Sequence, residues 1–469
     1  MHTSTTSTVP LVSWTAAQLL EATQGYWLND QAPNTEIKRI LTDSRDAEAG
    51  DAFLALKGER FDAHAFITQV AEQGCQVAIV SQPIDAEICQ LVVPDTRLAL
   101  GQLGAYRRAQ NPQLKVIALT GSSGKTTTKE MLGSILSRIA PTLVTRGNLN
   151  NDLGVPVMLL ELCPEHQYAV MELGASHQGE IDYTSNLVQP LVAGIINIGT
   201  AHLGEFGGRD GICRAKSEIY AHIAPNGTSI VPAADDFADS IRQAVQTEQV
   251  LSFGAGGEIF ATEIELQAQS ATFKLNTPQG VRQVNLPFAG EHNVQNATAA
   301  AAFALAIGIS LDDIVLGLEQ AVGAKGRLNF IQQGRHLLID DTYNANPTSM
   351  RAAAEVLAQQ EGVRVMVMGD IGELGSSAAQ QHYMLGRDLV SVKGLNFVVA
   401  VGEFAPAAQE GARSTQYGKK MQAFLTQEQA LPFLLSLIET HQPQSMSFLF
   451  KGSRYTHMET LMADLMEKL

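Results

Sequence analysis

The sequence predicts an α/β protein of three domains, with a parallel sheet at the centre and a second, doubly wound Rossmann-like sheet at the C-terminal end. Three observations carry this expectation. The chain has 469 residues, a length suited to about three domains of ordinary size. From Lys115 onward, short apolar runs alternate with helical patterns, as parallel strands joined by crossover helices do. That alternation breaks between about residues 250 and 290 and resumes after Gly323. The expected domains are 1–113, 114–322 and 323–469.

In the first domain, the runs Ala52–Leu56, Val77–Val80 and Leu91–Pro94 read as strands between polar turns, with one or two helices. Arg107–Lys115 is polar, contains Pro112 and reads as a linker. The second domain then shows VIALT, a helix from Thr126, YAVMEL, AGIINIG and a helix around 215–223. IFATEIELQ, ATFKLNT and VRQVNLPF alternate with period two around the turn TPQG and predict an antiparallel appendage. HNVQNATAAAAFALAIG predicts a buried Ala-rich helix, and another helix follows from Leu311. In the third domain LLID, VMVMG, FVVAVG and SFLFKG each precede a helical pattern.

Composition narrows the function. Hydrophobic residues make up 45% and charged residues 17%, which places the chain among globular proteins. With 32 basic against 48 acidic residues the net charge is −16, so a broad footprint for nucleic acid or an anionic membrane is not expected. Any phosphate site must be local. No apolar run reaches the roughly 18 residues of a membrane span. The opening residues show no export signal. Cys75, Cys89, Cys163 and Cys213 lack metal-ligand spacing and fit reduced thiols. A cytoplasmic monomer without membrane insertion is expected.

The strongest local signal is Thr120-Gly121-Ser122-Ser123-Gly124-Lys125-Thr126-Thr127, set between an apolar run and a helix. Glycines let backbone N–H groups approach phosphate oxygens, the helix start adds its dipole, Lys125 reaches the β- and γ-phosphates, and Thr126 can hold Mg²⁺. Leu119 stands where the commonest form of this loop has its first glycine. Glu172 and His202 follow apolar runs and are expected at the carboxyl ends of strands, where ligands bind in open sheets. Together they suggest a divalent cation. Spacing alone reads Lys216 as a solvated lysine. Asn148, Asn150 and Asn151 in GNLNNDLGVP suit either a polar substrate or simple turn chemistry.

The segments TGSSGKTTTKE, GNLNNDLGVP, MELGASHQGEI, NIGTAHLGEFG, AKSEIY, GEHNVQNATAA, GRLNF, DDTYNANPTSM and KGSR resemble the Mur ligases of bacterial cell-wall synthesis. YNANPTSM, MGDIGELG and the SSGKT loop are most similar to the branch that adds D-alanyl-D-alanine. The resemblance implies a UDP-sugar-binding N-terminal domain, a central ATPase domain and a C-terminal domain that closes over the nucleotide. It implies amide formation between UDP-N-acetylmuramoyl-tripeptide and D-alanyl-D-alanine, using ATP and Mg²⁺ and passing through an acyl phosphate.

Carried over residue by residue, the resemblance implies that Gly121 to Thr127 cradle phosphates, that Glu172 and His202 bind Mg²⁺, and that Lys216 carries a carbamate. Asn293 and Asn296 would meet adenine, although Asn293 also suits a helix cap. Arg327 would reach the γ-phosphate and Asp341 the ribose, while Tyr343, Asn344 and Asn346 would face the dipeptide. Ser44, Arg45 and Lys57 would belong to the UDP site. Ala63 and Gly372 depart from the family pattern, which has Gly and a larger apolar residue there. The rival readings are a ligase adding another amino acid, a folylpolyglutamate-type synthetase, and a P-loop switch. YNANP argues against the first two, and a switch would turn over without the dipeptide.

Overall fold

The computed structural model describes residues 11–58, 61–200 and 203–469. Near the N-terminus, β1 (Tyr26–Trp27), β2 (Ile40–Leu41), β3 (Ala52–Leu54), β4 (Val77–Val80) and β5 (Cys89–Val92) form a sheet in the order β1-β5-β4-β3-β2. It is parallel except where β1 meets β5. The helix Thr96–Ala109 starts at Asp95, whose carboxylate accepts from the N–H groups of Arg97 and Leu98. This helix runs into the stretch expected to be a linker. The reason is Arg107: its guanidinium lies 3.9 Å over the Trp14 ring and donates to the Val12 carbonyl at 2.9 Å. The helix packs against Gly154–Leu160 and Glu180–Val188. Gly104 makes that seam tight, since a Cβ there would lie 3.1 Å from the Pro156 Cα.

The central sheet contains β6 (Lys115–Thr120), β7 (Thr142–Val144), β8 (Tyr168–Glu172), β9 (Val192–Ile195), β10 (Thr228–Pro232) and β11 (Gln249–Phe253) in the order β11-β10-β9-β6-β8-β7. Every pairing is parallel. Strand order reverses at β6, so a crevice opens beyond its carboxyl end. Lys125–Ser137 and the Ala-rich Glu291–Ala306 cover one face, where small buried side chains such as Ala297 and Ala301 permit close helix packing. Gly154–Leu160, Glu180–Val188 and Arg209–Ser217 cover the other. The last of these ends before residue 223 and gives way to a short 3₁₀ turn, Glu218–Tyr220, so the helix lies earlier in the chain than its pattern suggests.

The expected antiparallel appendage is present as β12 (Phe260–Leu266), β13 (Ala271–Thr277) and β14 (Gly280–Leu286). Alternation turns Ala271, Phe273 and Leu275 inward. The C-terminal sheet has β15 (Asn329–Gln333), β16 (His336–Asp340), β17 (Val363–Gly369), β18 (Phe397–Val401), β19 (Met421–Phe424) and β20 (Met446–Lys451) in the order β15-β16-β20-β17-β18-β19. Only β15 runs antiparallel to its neighbour, and apolar clusters fill both faces.

This sheet meets the central one through polar contacts. Gln360 Nε2 donates to the Ala268 carbonyl at 2.5 Å, Gly204 N to the Glu373 carbonyl at 3.4 Å, and Asn346 Nδ2 to Ser123 Oγ at 2.9 Å. Among the described residues no helix is long and apolar enough to cross a membrane.

Candidate active site

The segment between β6 and the helix Lys125–Ser137 is the expected phosphate loop. Gly124 has φ +78°, and a Cβ there would stand 2.2 Å from Asn296 Oδ1, so both conformation and space demand glycine. Asn197, just after β9, clamps the loop. Its Oδ1 accepts from Ser123 N at 3.0 Å, its Nδ2 donates to the Ser123 carbonyl at 2.9 Å, and its own carbonyl accepts from Ser122 N at 3.1 Å. The N–H groups at the helix start remain to meet an anion. Lys125 Nζ donates to the Gly121 carbonyl at 2.8 Å. Burial pushes the pKa of this ammonium down, and the charge of Glu172 opposes the shift.

Glu172 is 2% exposed at the end of β8. Its backbone N–H donates to Thr145 Oγ1 at 3.0 Å, and its Oε1 accepts from Asn150 Nδ2 at 2.8 Å. Oε2 has no hydrogen-bond partner. A buried carboxylate oxygen without a donor is costly unless a cation meets it, so this donor set fits an oxygen-seeking ion such as Mg²⁺. Lys216 is equally buried, and desolvation followed by repulsion from Lys125 pushes its pKa well below the usual lysine range. The expected solvated lysine is therefore excluded. His202 lies outside the described residues. Among the described residues no three His, Cys, Asp or Glu side chains cluster as a metal site.

A cavity of about 600 Å³ opens beyond the loop. Ser122 to Thr127, Asn293 and Asn296 line it together with Arg327, Asp341, Asn344, Asn346 and Lys451. Asn296 Nδ2 donates to Asn293 Oδ1 at 3.0 Å, and Asn293 Nδ2 to the Ala289 carbonyl at 2.8 Å. The Arg327 guanidinium lies 4.3 Å from the centre of the Tyr343 ring. Ser122 Oγ and Arg327 Nε are buried without hydrogen-bond partners, as befits a cavity built for a polar ligand. Lys451 Nζ lies 2.7 Å from Asp341 Oδ2. His292 also lines the cavity, and burial pushes its pKa down to about 4, so its ring is neutral.

The remaining candidates divide between this cavity and other places. Asn346 caps the helix Pro347–Ala358 and bonds Ser123, which places it on the phosphate side of the cavity. Tyr343 lies under Arg327. Asn150 holds Glu172, Asn151 Oδ1 accepts from Gly154 N at 2.8 Å at a helix start, and Asn148 is exposed. Ser44 and Arg45 lie in a 3₁₀ turn and Lys57 in the segment after β3, and none of them lines the cavity; Arg45 pairs with Asp43, and Lys57 with Asp62 at 3.5 Å. Ala63 opens a 3₁₀ turn. At Gly372 a Cβ would stand 3.0 Å from Tyr455 Cε1, so the absence of a larger side chain makes room for that ring. Asn197, His292 and Lys451 lie within NIGTAHLGEFG, GEHNVQNATAA and KGSR, but neither their residue types nor the resemblance gives them a role; two of them sit at or just beyond strand ends and His292 stands beside Asn293.

A phosphate loop on a parallel sheet, facing a second doubly wound sheet across one cavity, defines an α/β nucleotide-binding protein of the P-loop class. The chain matches the Mur ligase family, catalytic domain, over residues 36–118, the Mur ligase middle domain over 119–304 and the Mur ligase glutamate ligase domain over 326–454. It is 41% identical to UDP-N-acetylmuramoyl-tripeptide–D-alanyl-D-alanine ligase of Escherichia coli, covering 97% of this chain and 99% of that one. A crystal structure of MurF from Acinetobacter baumannii is 76% identical with a TM-score of 0.95, covering 98% and 100%. MurF from Thermotoga maritima in complex with ADP is 25% identical with a TM-score of 0.79, covering 92% and 97%. The chain belongs to the Mur ligase family.

Proposed function

We propose that this protein is the ATP-dependent ligase that joins D-alanyl-D-alanine to UDP-N-acetylmuramoyl-tripeptide. The observation that carries this reading is the shared cavity. The loop that suits a triphosphate and the side chains Arg327, Asp341 and Lys451 of a different domain face one another, which a two-substrate transfer requires. The relatives' names supply the substrates, and YNANPTSM, the stretch most similar to the dipeptide-adding branch, lies at the cavity wall.

The chemistry follows from the donor groups. A carboxylate does not condense with an amine at neutral pH, so it must first become a better acylating group. The acceptor carboxylate attacks the γ-phosphorus and ADP leaves; the dipeptide amine then attacks the acyl carbon, inorganic phosphate leaves and the amine gives up its proton. Lys125 and Arg327 both line the cavity and would stabilise the charge of the transferring phosphoryl group, the electrostatic contribution on which phosphoryl transfer depends. Asn293 and Asn296 offer amides toward the base, and Asp341 accepts from the ribose.

Thr126, Glu172 and His202 are the groups that would hold Mg²⁺, whose charge would lower the repulsion between the acceptor carboxylate and the triphosphate. Lys216, buried and close enough to feel the charge of Glu172, is the side chain that would carry a carbamate. Ser44, Arg45 and Lys57 are assigned to the UDP moiety, and Asn148 and Asn151, with Tyr343 and Asn344, to the approaching peptides. The decisive experiment is mass spectrometry of the product formed from UDP-N-acetylmuramoyl-tripeptide, ATP and D-alanyl-D-alanine. The pentapeptide precursor, with ADP release that needs both carbon substrates, is expected; ADP release without the dipeptide would favour a switch instead.

A further inference from the structure

Lys451 ends β20, between β16 and β17, at the floor of the cavity. It is 2% exposed. Its ammonium has two acceptors: Asp341 Oδ2 at 2.7 Å and the Asn344 carbonyl at 2.9 Å. A buried ion pair of this kind adds little net stability compared with apolar side chains of equal volume, so the fold alone does not call for a lysine here. What the lysine does is geometric. It pulls the Asp341 carboxylate to one side while Leu328 N donates to Oδ1 at 3.3 Å, so both oxygens are fixed at the cavity wall. A carboxylate has about four acceptor positions, and these two donors leave room for hydroxyl groups.

We propose that Lys451 is a positioning residue for sugar recognition: it holds Asp341 in the orientation that accepts hydrogen bonds from the nucleotide ribose. The inference rests on reading the cavity as the nucleotide site with Asp341 toward the ribose. By the same bond to the Asn344 carbonyl, Lys451 fixes the start of the loop that delivers Asn346 to Ser123. Sugar recognition and contact with the phosphate loop thus depend on one ammonium group.

The test compares kcat/KM for ATP with that for 2′,3′-dideoxy-ATP, the other substrates being saturating. Lys451→Met keeps most of the side-chain volume and removes the donor. The wild-type protein should prefer ATP, and Lys451→Met should reduce that preference at least about tenfold, the size of effect expected when a hydrogen bond to a charged group is lost. The loss should appear in the KM for ATP. A lysine that merely supports the fold would affect both nucleotides alike, so an unchanged ratio overturns the proposal.

Should Lys451→Met not fold, Lys451→Gln in the same comparison decides, because its amide is neutral and one bond shorter than the lysine, so it loses the charged grip on Asp341 and the ratio must again fall. Asp341→Ala, which removes the acceptor altogether, separates the two layers of the reading. If it leaves the ratio unchanged, the ribose assignment fails and takes this inference with it. If it flattens the ratio while the Lys451 variants do not, only the role of Lys451 fails.

Discussion

The side-chain amide of Asn150 donates to Glu172 Oε1 at 2.8 Å, so that Oε2, buried and without a donor, is the oxygen left to face the site. Asn150 therefore decides which carboxylate oxygen is available. It sits in a loop whose asparagines read equally well as substrate ligands or turn formers, and its observed role is neither.

Replacing Asn150 with Ala should raise the Mg²⁺ concentration needed for half-maximal ligation by about 10- to 100-fold, the usual cost of losing a group that orients a metal ligand. A magnesium titration of the initial rate checks this. A rate that falls at every magnesium concentration with an unchanged midpoint would argue against the assignment.

Gly124→Ala should impair both folding and nucleotide binding. A side chain at φ +78° costs about 1–3 kcal/mol, and the new methyl group would also displace Asn296. Thermal unfolding should shift down by several degrees, and titration calorimetry should show weakened ATP binding.

Lys216→Ala should abolish most ligation, because the burial of this residue beside Glu172 rules out an incidental surface role. If the position normally bears a carbamate, acetate or formate at constant ionic strength should restore part of the rate by returning an anion to the vacated space. Near-wild-type activity without additive would end that assignment.

Stability should decline in mild acid through His292. Its folded pKa, about 4, lies below the ordinary imidazole value of 6.5, so the unfolded chain takes up the proton first as pH falls. The neutral ring imposes no penalty above pH 6.5, and a loss of ~3 kcal/mol accrues between 6.5 and about 4. Across that window the melting temperature of His292→Gln should fall less steeply than that of the wild-type protein.

The phosphate loop is legible in the sequence because its chemistry is local: Gly124, Lys125 and Thr126 are adjacent, and an apolar run and a helical pattern frame them. Glu172 is legible as a strand end for the same reason. The parts that escape depend on neighbours far along the chain. Asn197 clamps a loop 74 residues before it, and Lys451 grips an aspartate just beyond the end of an adjacent strand. Arg107 is helical because Trp14 and the Val12 carbonyl receive it, which no window around residue 107 reveals. The short edge strands β7 and β19 carry too few residues to stand out by periodicity.

The tight seam at Gly104 has a bearing on how such a protein can diversify. Because the helix Thr96–Ala109 is cut to fit the backbone at Pro156, a foreign N-terminal module joined by recombination would have to match that surface residue by residue. The C-terminal unit meets the rest through polar contacts made partly by backbone groups, as between Gly204 and Glu373 or Gln360 and Ala268, and these ask less of a partner's sequence. Shuffling should therefore succeed more readily at the C-terminal junction, so that the C-terminal unit can be exchanged between lineages while the chain before it is inherited together.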